Sequence, residues 1–117
     1  MKSFLNLSLG LNFLLCVYTS AAEINVYSHR HYDSDAILFK QFTKKTDIQV
    51  NVVKGSADQL IQRLITEGKN SPADVLLTVD AGRLHRAKAA GVLQPIKSKM
   101  LLGNVPNSMR DPEGYWY

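Results

Sequence analysis

The stretch Ser71-Pro72-Ala73-Asp74-Val75-Leu76-Leu77-Thr78-Val79-Asp80 decides the fold. From Ala73 to Val79 it is nearly continuous in apolar residues, the mark of a parallel strand covered on both faces. Two alternating runs precede it, Ile24-Asn25-Val26-Tyr27 and Ile48-Gln49-Val50-Asn51-Val52-Val53. The three runs lie about 25 residues apart with an amphipathic segment in each gap, which is a βαβαβ pattern. In the first gap Leu38, Phe39 and Phe42 predict the buried face of a helix, with Asp33 or Ser34 as its N-cap. In the second, Ala57, Leu60, Ile61, Leu64 and Ile65 follow the 3.6 period. Ser56 with Gln59 makes a capping box there, and Gly68 ends the helix. A third helix is predicted after Asp80, which caps it, with Leu84 and Ala87 inward and a stop at Gly91. Pro95 marks the next loop.

Crossovers between parallel strands are right-handed, so these units predict an α/β fold with an open, mainly parallel sheet. Ligands bind such sheets at the carboxyl ends of the strands, here residues 28–33 and 78–80. After Gly103 the periodicity fades. The Asp111-Pro112-Glu113-Gly114 turn is followed by Tyr115-Trp116-Tyr117, which reads as a strand just begun, so the expectation is an N-terminal fragment of a longer protein.

The 117 residues are 45% apolar and 21% charged, a globular composition too short for a complete two-lobed protein. The net charge of +4 contains no long basic run, and nucleic acid is not indicated as a partner. Lys2, the apolar stretch from Leu11 to Val17 and Ser20-Ala21-Ala22 predict a cleaved signal peptide over residues 1–22. The apolar run is too short and too interrupted for a membrane-spanning helix. Cys16, the only cysteine, leaves with that segment; a lipid anchor on it would need small residues where Phe13-Leu14-Leu15 stand. Residues 23–117 then form a cysteine-free exported segment, which excludes thiol catalysis, disulfides and Cys-type metal sites.

The chemistry-bearing stretch is Tyr27-Ser28-His29-Arg30-His31-Tyr32-Asp33, at the end of the first strand. Three readings of it stand open. The histidines can be ordinary loop residues, with Tyr32 packed on the helix and Asp33 capping it. His29 and His31 can hold zinc in a metal-dependent hydrolase, with His85 as the distant third ligand. Or Tyr32 as phenolate, with His31 beside it, can hold a hard trivalent cation. The third reading requires the chain to have left the strand before His31. A rival within binding proteins places an organic cationic solute among Tyr32, Asp80 and Trp116. Ser56 lacks the surroundings of a nucleophile elbow, and no phosphate-cradling glycine loop is present.

Four segments carry a resemblance: residues 26–32, the run Val50-Asn51-Val52-Val53-Lys54-Gly55-Ser56-Ala57-Asp58, the stretch 71–80, and Arg110-Asp111-Pro112-Glu113-Gly114-Tyr115-Trp116. In that order they resemble the periplasmic ferric-ion-binding components of ABC importers, of the iron-deficiency-induced type. The resemblance implies that residues 23–117 are part of the N-terminal lobe of a two-lobed, type II periplasmic-binding-protein fold. It implies a non-enzymatic protein, monomeric when full length, that takes Fe3+ to an inner-membrane permease. His31 and Tyr32 match the metal ligands of that lobe; tyrosines of the second lobe complete the set. It leaves Arg30 to support the loop or a synergistic anion such as carbonate. Two departures are His29, where Ser is frequent, and Asp47, where Gly is usual at a helix end. A positive φ at Asp47 would cost local stability.

Overall fold

A computed structural model describes residues 21–117, so Cys16 and nearly all of the expected signal segment 1–22 lie outside the described residues. Strand β1 (Glu23–Ser28) leads to α1 (Asp33–Thr46), β2 (Gln49–Lys54), α2 (Ala57–Glu67), β3 (Val75–Leu77), α3 (Ala81–Ala89) and α4 (Lys99–Asn104). Single 3-10 turns cover Gly68–Asn70 and Asn107–Met109. The sheet runs β2-β1-β3 and both pairings are parallel, with Val26 facing Val52 on one side and Val75 on the other. This is the expected βαβαβ architecture. No helix of the described residues is long and apolar enough to cross a membrane.

Among the described residues the middle strand is β1, and the strand of the apolar run 73–79 pairs with it on one side. That strand is only three residues long and lies at an edge of the described sheet, with Val75 and Val79 exposed. Continuous apolarity states what a strand can bury, and the partners at hand decide what it does bury. In β1, Val26 and Tyr27 are 2% and 1% exposed. Tyr27 packs with Leu60 and Leu64 of α2, and Val53, Ala73, Leu76 and Val92 close around them.

Helix α2 forms as its period and caps dictate: the Ser56 Oγ accepts from the Gln59 N–H and the Gln59 side chain accepts from the Ser56 N–H. A Cβ at Gly55 would stand 3.2 Å from Leu60 Cδ2, a tight contact against the face that meets the core. A part-buried bond ties this helix to the sheet. The Tyr27 hydroxyl donates to both carboxylate oxygens of Glu67, at 2.9 and 3.0 Å, and Ser71 Oγ (2.6 Å) and Arg63 Nε (2.6 Å) donate to the same group. These donors hold the Glu67 carboxyl below the usual range, Ser71 and Arg63 contributing most. Burial pushes the Tyr27 phenol up.

Helix α1 departs from expectation. Leu38 (58% exposed) and Phe42 lie open together with Ile37, Phe39 is half-buried, and the one buried residue of the helix is Asp35. That carboxylate pairs with Arg30. Neither Asp33 nor Ser34 is the N-cap. Tyr32 holds that position in extended conformation without a side-chain cap bond, and Asp33 and Asp35 sit in the first turn, where the helix dipole favours negative charge. At the other end Asp47 has φ 58°, the left-handed conformation expected to favour Gly.

Asp80 caps α3 by accepting from the Arg83 N–H at 2.9 Å, and Ala87 is fully buried, both as expected. Helix α4, unforeseen in the periodicity, is one short stretch capped by Ser98 through the Leu101 N–H. The aromatic tail is not a strand. The Asp111 N–H donates to the Trp116 carbonyl, the Asp111 carboxylate accepts from the Tyr115 N–H, and Tyr117 Oη donates to the Ile96 carbonyl at 2.6 Å. Lys88 Nζ reaches both Asp111 and Glu113 at 2.7 Å, so a buried acid closes the segment into a turn on α3.

Two outcomes are expected. Asp47→Gly should raise stability by about 0.5–1 kcal/mol, read as a higher urea midpoint with unchanged m-value, because Gly adopts positive φ without strain. Glu67, Asp35 and Asp111 are all held below the ordinary carboxylate range. Carboxyls lowered in the folded state contribute stability above their unfolded values of about 4 and lose it as pH falls through the folded values. The urea midpoint should therefore stay level from neutrality to about pH 5 and fall below about pH 4. Glu67→Gln should lower the neutral midpoint and flatten that fall.

Candidate metal centre

The centre is built where β1 ends. Both neighbouring strands grip the exit: the His29 N–H donates to the Leu77 carbonyl at 2.9 Å, and the Gly55 N–H donates to the Ser28 carbonyl at 3.2 Å. The Arg30 N–H then donates to Ser28 Oγ at 3.1 Å, turning the chain away from the sheet. Tyr32 is extended, its carbonyl accepts from the Asp35 N–H at 3.1 Å, and α1 begins. His31 and Tyr32 thus lie beyond the strand, in the segment between sheet and helix, at the carboxyl edge where open α/β sheets bind ligands. That removes the alternation which would send their side chains to opposite faces.

Of the residues picked from the sequence, His31 and Tyr32 are exposed, Tyr32 by 57%. His29 is half-buried; its Nδ1 is buried without a hydrogen-bond partner, and its ring meets that of His31 edge-on with centroids 5.6 Å apart. Arg30 is committed to Asp35 through two parallel bonds of 2.9 Å, Nε to Oδ2 and Nη2 to Oδ1. The same guanidinium lies 4.9 Å from the centroid of the Tyr32 ring. The pair is mutual: Arg30 holds the Asp35 carboxyl below its ordinary range, and Asp35 raises the guanidinium further.

Other candidates are not brought to this place. Among the described residues no three His, Cys, Asp or Glu side chains converge, and His85 is exposed on α3, so the His-x-His reading finds no third ligand there. Asp80 is engaged as a helix cap and in an ion pair with Arg83. Trp116 lines a mixed polar and apolar groove of about 670 Å³ with Arg30, Leu93, Ile96 and Tyr115, and neither Tyr32 nor Asp80 lines it. The trio proposed for an organic cation therefore does not share a pocket. Asp35 escaped the sequence reading because the α1 pattern was read from its apolar residues. The available signal was a carboxylate five residues after Arg30, in the first turn of a helix that starts beside it.

Known proteins bear on this geometry. Iron uptake protein A1 of Synechocystis sp. is 53% identical over 95 residues, a match covering 81% of this chain and 26% of that protein. A solved Trichodesmium structure (IdiA, FutA) in complex with iron and citrate superposes with a TM-score of 0.79 and 54% identity, over 82% of this chain and 30% of the other. The ferric binding protein from Campylobacter jejuni gives a TM-score of 0.76 at 44% identity, over 78% and 29%. The chain spans about a quarter of the length of the curated relatives it matches. The parallel α/β architecture expected for part of a type II binding-protein lobe is the one shared with these structures. Residues 32–116, from the mouth of α1 to the closing aromatic turn, match the profile of the bacterial extracellular solute-binding proteins, and the chain belongs to that family.

Proposed function

We propose that this chain is part of the N-terminal lobe of a periplasmic ferric-iron-binding protein that supplies an ABC permease of the inner membrane, with residues 1–22 as its cleaved export signal. The observation that carries the reading is the exposed pair His31 and Tyr32, placed off the strand at the carboxyl edge of the sheet. A phenolate is a hard, anionic oxygen donor, and a trivalent cation displaces its proton, which an unperturbed phenol holds up to a pH of about 10. An imidazole beside it adds a neutral nitrogen. Relatives named for iron uptake and for ferric binding, and a citrate-bound structure among them, support iron as the cargo and a small oxyanion, carbonate or citrate, as its companion. Binding and release, with no bond of the cargo's anion broken, is the whole of the chemistry these residues supply. The remaining ligands come from outside this chain, and the complete protein works as a monomer.

Two ligands leave coordination positions to fill, so ferric nitrilotriacetate is the suitable probe: the chelator occupies part of the ion and leaves sites for His31 and Tyr32. Addition of the chain should produce a visible phenolate-to-iron charge-transfer band. Tyr32→Phe, which keeps the ring and removes the oxygen, should abolish the band, whereas His29→Ala should leave most of it. Lowering the pH should bleach the band reversibly as protons compete for phenolate and imidazole. A band that survives Tyr32→Phe overturns the assignment. Hydrolytic activity that depends on His29 with added zinc would restore the enzyme reading.

A further inference from the structure

We infer that Arg30 and Asp35 form a clamp that positions the Tyr32 ring for the metal, and that Arg30 serves the ring rather than the anion. The inference rests on the reading of Tyr32 as a ligand. Tyr32 is 57% exposed, so packing alone does little to fix its ring. A ligand left free to rotate gives up rotamer entropy when it binds, whereas one held in place has that loss behind it.

The holding element is the guanidinium. Its backbone is pinned through the Arg30 N–H to Ser28 Oγ, at the end of the most buried strand. Its head is pinned by the bidentate bonds to Asp35, which is itself 9% exposed and the only buried residue of α1. Anchored at both ends, the planar head lies 4.9 Å from the Tyr32 ring centroid, within the range of a cation–π contact. Two of its five N–H donors are used on Asp35 and its central carbon lies over the Tyr32 ring, so the head is held in place against that ring. Lysine cannot substitute, since an ammonium has neither the fork for Asp35 nor a flat face for the ring.

A cation against the ring has an electronic consequence as well. It stabilises the phenolate's filled orbitals, so the charge-transfer band of bound iron should lie at higher energy with Arg30 present than without it. A clamp that merely held the fold together would change how much protein binds and leave the band where it was.

The test uses the whole chain, ferric nitrilotriacetate, visible absorbance and circular dichroism to register folding. The variants are Arg30→Gln, Arg30→Lys, Asp35→Asn, and the double variant Arg30→Gln with Asp35→Asn. The double variant leaves no buried carboxylate unpaired and so keeps the experiment open if Arg30→Gln alone misfolds. Removing the guanidinium in the single or double variant should weaken association about two- to fivefold, the scale of a cation–π contact at an exposed site, and move the band to longer wavelength. Asp35→Asn should weaken association while moving the band less, since the charge remains and only its anchorage is lost. Arg30→Lys should fail to restore affinity. If Tyr32→Phe removes the band but folded Arg30→Gln or the double variant keeps parental affinity and wavelength, the clamp is wrong and the ligand assignment stands. If Tyr32→Phe leaves the band, both fall together.

Discussion

Everything in this structure depends on β1 lying between two parallel neighbours. A strand flanked on both sides has its backbone donors and acceptors consumed in two ladders, and here its carboxyl-terminal half is fully buried. Parallel pairing also fixes where the chain must leave: all three strands finish at the same edge, and each continues into a loop or helix there. The His29 N–H bond to Leu77 and the Gly55 N–H bond to Ser28 are the last rungs of those ladders. The residues that follow inherit a fixed origin from them, so an exposed histidine and tyrosine start from a rigid base.

Three carboxylates then attach the helices to that frame, each by collecting several donors at once. Glu67 takes Tyr27, Arg63 and Ser71; Asp35 takes both nitrogens of the Arg30 fork; Asp111 takes Lys88 and the Tyr115 N–H. A carboxylate drawn from water needs this many partners, because any fewer would leave lone pairs unsatisfied at a cost larger than a single hydrogen bond returns. The same arrangement links site and fold. Tyr27 and Arg30 belong to one continuous segment, so the bond that docks α2 and the pair that orients α1 both act within a few residues of the proposed ligands.

The βαβαβ order, the α2 helix with its capping box and the Asp80 cap were all legible in residue pattern, because each is a local property of spacing; the left-handed Asp47 was foreseen only through the family resemblance. The segment 28–33 was legible as the candidate site for a similar reason: parallel topology places strand ends together, and this strand end carries His29, Arg30, His31 and Tyr32. What escaped was long-range or orientational. The exposure of Leu38 and Phe42 and the pairing of Asp35 with Arg30 could not be read from the spacing of α1. Tyr115, Trp116 and Tyr117 have a strand's composition, but Asp111 and Lys88, 23 residues apart, fold them into a turn.

By itself the sequence determined the strand and helix order from β1 to α3, that the strands are parallel, and which edge of the sheet carries the candidate site, since periodicity, capping and the handedness of crossovers are set by neighbours along the chain. Only the tertiary structure decided that β1 is central, that Asp35 is the buried residue of its helix, and that Arg30 faces a tyrosine ring. Those outcomes depend on contacts between residues distant in the chain or on different elements, which ladder pairing sets for the strand and the need of a buried carboxylate for donors sets for Asp35.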